Sequence, residues 1–162
     1  MRIRVAKASD AAAACDVLRR SIAELCELDH GNDQVLIDRW LANKTPENMA
    51  SWIASSHIFL AEEADKLLGV AGLTDSGYIT LNYVAPEARF RGVSKALLSE
   101  MEAKATELGL RACILESTKT ATRFYRAAGY TEQTDASSKN VLSKSLGKAN
   151  PPNQNRPLPG SN

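Results

Sequence analysis

Aromatic residues make up only 6% of this 162-residue chain. No apolar run approaches the roughly 18 residues needed to span a bilayer, so no membrane segment is expected. Charge of one sign is also missing: 20 Lys+Arg stand against 19 Asp+Glu, a net charge of +1. A dedicated nucleic-acid binder needs a surplus of phosphate-neutralising cations, so that class is set aside. Cysteine is scarce and scattered. Cys15, Cys26 and Cys113 show no Cys-x-x-Cys spacing, which argues against a disulfide framework or a metal site. They read as reduced, buried, small apolar side chains. Met1 to Asp10 contains no apolar core of the kind a secretory leader carries, so a cytoplasmic protein is expected. What is present fits one globular domain: 44% apolar residues, 24% charged residues, and enough length to bury a core.

The apolar pattern divides the chain into short elements. Ile3 and Val5 alternate as in a strand. Ser9 or Asp10 can then cap a helix whose stripe is Ala11, Ala14, Cys15, Leu18, Ile22, Leu25 and Cys26. A turn cluster, Asp29 to Asp33, precedes a second helix marked by Val35, Leu36, Trp40 and Leu41. Thr45-Pro46-Glu47 opens a third, with Met49, Trp52 and Ile53 on its buried side. Strands are expected at His57–Ala61 and Leu67–Leu73, and most strongly at Tyr78–Val84, dense in β-branched and aromatic residues. A helix follows from Val93 to Leu108, then a strand at Ala112–Leu115, a short helix at Thr120–Ala128 and a last strand at Val141–Leu146. Residues 148–162 hold four of the six prolines and little apolar bulk, and read as a mobile Pro/Asn-rich tail beyond a domain spanning 1–147.

The chemistry is concentrated between the strongest strand and the helix after it. A strand that runs through a glycine-containing loop into a helix start presents unpaired N–H groups and the positive end of a helix dipole. That combination suits an anion. Here Arg89, Arg91 and Lys95 add cations, no acid occurs from Ala88 to Ser99, Gly92 lets a ligand approach the main chain, and Ser94 adds a small donor. On composition alone, the loop is either a diphosphate cradle or a solvated basic helix cap. Neither the G-x-x-x-x-G-K-[ST] nor the G-x-G-x-x-G phosphate loop is present.

Arg89-Phe90-Arg91-Gly92-Val93-Ser94 resembles the R/Q-x-x-G-x-G/A signature of the GCN5-related N-acetyltransferases (the GNAT family). Further along, Ala121 to Tyr130 is similar to that family's A-x-x-F-Y-x-x-x-G-F/Y segment. The resemblance covers most of residues 2–146. It implies an α/β (α+β) acyl-CoA N-acyltransferase fold, with a mixed, centrally splayed sheet flanked by helices. Two departures stand out: Ser94 replaces the last Gly/Ala of the first signature, and Thr118 stands where the family often has asparagine.

The resemblance further implies acetyl-CoA as donor and a primary amine, on a small molecule or a peptide, as acceptor. The pantetheine arm is expected in a gap between the strand ending at Val84 and its parallel neighbour near Cys113, paired with main-chain groups of Tyr83 and Val84. The loop N–H groups of Arg91, Gly92, Val93, Ser94 and Lys95 are expected to hold the pyrophosphate, with the Arg89 and Arg91 side chains as steering charges and Thr118 near the arm. The Val84 N–H is the expected oxyanion donor. Tyr125 is the expected proton donor to the departing sulfur, since tyrosine stays protonated at neutral pH. The strand 78–84 carries no carboxylate, so Glu116, Glu27 and His30 are left as base or acceptor-side residues. Glu24, Glu27, Asp29, Asp33 and Asp38 fall between Ser21 and Asp38 without a Lys or Arg. Such a stretch favours a cationic acceptor if it faces the cleft, and is otherwise the wet side of two helices. The weak last strand offers an edge for a homodimer.

Overall fold

The computed structural model describes residues 1–133 and 140–147; the expected tail, 148–162, lies outside the described residues. Strand β1 (Arg2–Val5) leads through a 3-10 turn into helix α1 (Ala11–Leu25). Its stripe buries Ala11, Ala14, Cys15, Leu18 and Ile22 as the spacing predicts, together with Val17 and Ser21. Part of the expected turn cluster is instead a single helical turn, α2 (Glu27–His30). Asp33 caps α3 (Gln34–Leu41) by accepting the Val35 and Leu36 N–H groups. Only Ile37 of α3 is buried outright; of the expected residues Trp40 and Leu41 pack against the core, whereas Val35 and Leu36 are exposed. Thr45 caps α4 (Pro46–Ser55), which buries Met49.

Three antiparallel strands follow, β2 (His57–Glu63), β3 (Lys66–Leu73) and β4 (Tyr78–Val84). Helix α5 (Val93–Glu107), β5 (Ala112–Glu116), α6 (Thr122–Ala127), a two-residue β6 (Thr131–Glu132) and β7 (Val141–Ser145) complete the fold. The sheet order is β1-β2-β3-β4-β5-β7-β6. Only β4 and β5 are parallel, and they pair only at Tyr78–Ile114 and Ile79–Leu115. Beyond Ile79 they separate. A register shift between Gly72 and Leu73 places an extra β4 residue, Thr80, where the separation begins. A bulge of this kind bends and twists the strand that carries it.

The core is continuous around the sheet, with Leu60, Val70, Leu73, Leu97, Met101, Leu115 and Leu142 fully enclosed. Gly69 sets how closely α5 lies on β3: a Cβ there would sit 2.9 Å from both Val93 Cγ1 and Leu97 Cδ1. The missing side chain lets the first turn of α5 press onto the sheet, and that turn is where the sequence places its anion loop. Among the described residues, no helix is long and apolar enough to cross a membrane.

Candidate active site

The loop between β4 and α5 ends in a reversal that leaves its amides free. Phe90 and Gly92 both take left-handed backbone conformations, φ 63° and 77°. The first main-chain bond of the helix is donated by Ala96 to the Gly92 carbonyl at 3.1 Å. Among the described residues, no backbone N–H from Phe90 to Lys95 donates to a protein acceptor. These amides open onto a cleft of about 270 Å³, lined by Ser21 and Cys26 on one side and by Arg89, Gly92, Ser94 and Tyr125 on others. Nothing lies within 4 Å of a Cβ built on Gly92, so the space above it is open to a ligand. The side-chain cations are less concentrated than the sequence suggests. Arg91 pairs with Glu63 at 2.6 Å, and the Arg89 guanidinium stacks over the Phe90 ring. Lys95 is exposed.

The separation of β4 from β5 forms the second half of the site. Ala85 N–H donates to the Leu68 carbonyl at 2.8 Å. Antiparallel bonding alternates, so Tyr83 also bonds toward β3, while Asn82 and Val84 turn their N–H and C=O groups into the gap. That register turns the Val84 N–H into the gap. The Tyr83 main-chain groups, expected there, serve the β3 ladder instead. Asn82 takes that place one residue earlier. Its Nδ2 donates to the Ser94 carbonyl at 3.4 Å, and its Oδ1 is buried without a partner. A buried acceptor left open is costly unless something donates to it. The sequence pattern does not single out Asn82, although it is the one amide side chain in a strand of aromatic, aliphatic and β-branched residues.

Tyr125 lies in the floor of the same gap, with its ring edge-on to Phe124 and Tyr130 at 5.0 and 5.6 Å. Burial pushes its hydroxyl up to about 12, with the Asn82 amide pulling the other way. Tyr83 is out of phase with Val84 and presents its ring on the other face of the sheet, beside Cys26; burial raises its hydroxyl too. Burial likewise pushes the Cys26 thiol up to about 12, which removes it as a nucleophile. Thr118 lines the cleft but spends its hydroxyl accepting Ala121 N–H at 3.1 Å, so it acts as a cap for the chain entering α6.

A wider opening of about 550 Å³ lies on the far side of Tyr83, lined by Asp29, Trp40, Tyr78, Thr80, Glu116 and Lys119 among others. Glu116, at the end of β5, is exposed there. His30 borders it but is committed to the fold. It is 2% exposed, its Nδ1 accepts Asn32 N–H at 3.0 Å, and its Nε2 donates to the Ile22 carbonyl at 2.8 Å. Neither ring nitrogen is left for an amine. Glu27 is exposed and lines none of these openings. The acidic stretch is mostly turned outward as well. Asp33 caps α3, Asp38 accepts from Gln34, and Asp29 alone of the group borders the opening.

Asp29 has a role that the sequence could not reveal. Its Oδ1 accepts Lys119 N–H at 2.7 Å, and its Oδ2 accepts Thr120 N–H at 3.1 Å and the Thr120 hydroxyl at 2.6 Å. The carboxylate thus ties α2 to the segment leading into α6, which carries Tyr125.

A parallel pair of strands that separates beside a helix start with free amides is the arrangement the resemblance implies for an acyl-CoA N-acyltransferase fold, and the comparisons agree. The acetyltransferase (GNAT) domain matches residues 27–143, well over half of the chain, so the protein belongs to the GNAT acetyltransferase family. Among curated proteins, it is 29% identical over 80 residues to the peptidyl-lysine N-acetyltransferase YiaC of Escherichia coli (strain K12). That match covers 49% of this chain and 53% of the relative, about half the length of each. Among solved structures, a GCN5-related N-acetyltransferase from Rhodopseudomonas palustris superposes with a TM-score of 0.79 at 21% identity, covering 90% of this chain and 95% of that one. The PaiA N-acetyltransferase of Thermoplasma acidophilum, solved with coenzyme A, gives 0.75 at 19% identity, covering 90% and 100%. These likenesses establish the mixed, open, splayed sheet of the fold.

Proposed function

We propose that the protein is an acetyl-CoA-dependent N-acetyltransferase that acylates a primary amine directly. The observation carrying this reading is the continuity of the two half-sites: free amides from Phe90 to Lys95 at one end, and the inward-facing Asn82, Val84 and Tyr125 at the other. The groups present fit a thioester attached to a diphosphate. The amides and the α5 dipole would hold the diphosphate, and the orphaned Asn82 Oδ1 would accept from an amide N–H of the arm. When bound, acetyl-CoA supplies an activated acyl carbon and a thiol leaving group. The Val84 N–H points into the gap as a donor for charge developing on the acyl oxygen. Tyr125, held protonated by burial, keeps a proton in the same gap for the departing sulfur. Glu116, exposed at the wider opening, takes the proton the incoming amine must lose, directly or through water.

The wider opening also supports a cationic acceptor. Asp29 and Glu116 outweigh Lys119 there, and the rings of Trp40, Tyr78 and Tyr83 offer faces to an ammonium. The name of the Escherichia coli relative puts a peptide lysine first among the acceptors to try. The test is thiol release from acetyl-CoA across lysine peptides, polyamines, aminoglycosides and amino acids. Release above the hydrolysis rate with at least one amine supports the reading. Tight coenzyme A binding without release on any amine replaces it with a catalytically silent CoA-binding module.

A further inference from the structure

Phe90 is out of place by every local rule. Its φ is 63°, in the left-handed region that bulky side chains avoid, and its side chain is 92% exposed. A glycine would hold the same turn without strain, and a polar residue would suit the solvent. The ring contributes no burial to the fold in return. A strained residue whose cost the fold does not recover is a reason to look for a ligand.

The surroundings indicate which ligand. Phe90 lines the cleft beside Gly92 and Ser94, immediately before the free amides of the cradle. The Arg89 guanidinium lies 4.7 Å from the ring centroid, covering one face with a planar cation and helping to hold the ring in place. The other face is open. We propose that Phe90, backed by Arg89, is a stacking platform for the nucleobase of the bound nucleotide. This rests on the acetyl-CoA reading and adds to it. A nucleoside attached to a diphosphate on the amides from Arg91 to Lys95 would have Phe90, the residue just before those amides and a wall of the same cleft, as its aromatic neighbour. A flat nucleobase stacks well on an aromatic face, and the guanidinium on the opposite face keeps the ring in place.

The test separates platform from cradle. Three ligands are titrated by calorimetry into the wild type, Phe90→Gly and Phe90→Trp. They are coenzyme A, its analogue with the adenine base replaced by hydrogen (diphosphate, ribose and 3′-phosphate kept), and 4′-phosphopantetheine, which lacks the whole 3′-phospho-AMP half and keeps one phosphate. The base-free analogue and 4′-phosphopantetheine are expected to behave alike, and a Phe90→Gly loss on the base-free analogue equal to that on coenzyme A would overturn the proposal. The platform predicts that Phe90→Gly weakens coenzyme A about tenfold and leaves 4′-phosphopantetheine within about twofold. It predicts a melting temperature for Phe90→Gly without ligand that is level or higher, since the strained φ is relieved. Phe90→Trp keeps coenzyme A affinity, and its added indole fluorescence is quenched by coenzyme A and not by 4′-phosphopantetheine. Equal weakening of coenzyme A and 4′-phosphopantetheine would show that Phe90 only shapes the loop and would overturn the proposal. Unchanged coenzyme A affinity, or a lowered melting temperature in Phe90→Gly, would overturn it as well. Failure of the wild type to bind coenzyme A would instead sink the acetyl-CoA reading itself.

Discussion

Asp29→Ala tests how the two sides of the cleft are joined. The carboxylate receives three donors from residues ninety positions away, two of them main-chain amides. Hydrogen bonds to a charged acceptor contribute about 1.5–3 kcal/mol each at most. Lys119 is exposed, so water replaces that bond cheaply, while Thr120 is partly enclosed. A net loss of about 2 kcal/mol follows, or a drop in melting temperature of about 4–8 °C for a domain of this size. Asp29→Asn should lose roughly half as much, about 1 kcal/mol, because its amide oxygen can still serve one main-chain donor and its nitrogen can meet only the Thr120 hydroxyl. The functional effect should be uneven. The diphosphate amides lie on the α5 side and are untouched, whereas the segment leading to Tyr125 loses its anchor. Denaturant unfolding, coenzyme A titration and turnover should therefore show lower stability and kcat with coenzyme A affinity within about twofold. An Asp29→Ala variant with wild-type stability and turnover would refute the idea that this carboxylate braces the site.

Tyr125→Phe should lower kcat by about a hundredfold or more while leaving coenzyme A affinity nearly unchanged; steady-state kinetics with unaltered kcat would remove the hydroxyl from the chemistry. The same variant has a pH signature. The folded hydroxyl sits near 12 against an ordinary 10.0, so its contribution is complete below pH 10 and is lost as pH climbs toward 12. Relative to wild type, Tyr125→Phe should flatten alkaline destabilisation by about 2–3 kcal/mol across that interval, and parallel curves would contradict the burial. Gly69→Ala should destabilise by about 1–3 kcal/mol, because its Cβ meets Val93 and Leu97. It should also weaken coenzyme A by lifting the first turn of α5; a variant as stable as wild type would mean that the close approach is not needed. All three thiols should resist a water-soluble disulfide reagent in the native protein and react once it is unfolded, since each is buried and its thiol raised.

What could be read in the sequence was local. The strand at Tyr78–Val84, the stop at Pro86, the left-handed Gly92 and the helix from Val93 are each specified by neighbours a few residues apart, and all appear where the pattern places them. Cap residues Asp33 and Thr45 act within one helical turn; the proline after Thr45 marks it as a helix start, whereas Asp33 sits in a cluster of turn formers that hides its cap. Phase was harder. Ile37 rather than Leu36 faces the core of α3, because a tertiary neighbour decides which side of an apolar-rich helix is buried. The two residues of β6 are too short to leave a periodic signal. The rest depended on long-range pairing. Whether Tyr83 or Val84 turns its amide into the gap is set by the β3 register, and a shift of one residue exchanges them. Asp29 meets Lys119 and Thr120 only through the fold, and Gly69 is explained only by the helix above it. The acidic stretch leaves two readings open in the sequence, a charged cleft face or the wet side of two helices. Asp33 caps α3 and Asp38 pairs with Gln34 on its exposed side, so the second accounts for those two, while Asp29 alone borders the opening.

The most direct test of the account follows the backbone amides themselves. In a ¹H–¹⁵N correlation spectrum titrated with coenzyme A, the signals of Arg91, Gly92, Val93, Ser94 and Lys95 should shift together and saturate, with Val84 moving in the same titration. Saturable binding that moves other amides and leaves those of residues 91–95 at their starting positions would contradict it.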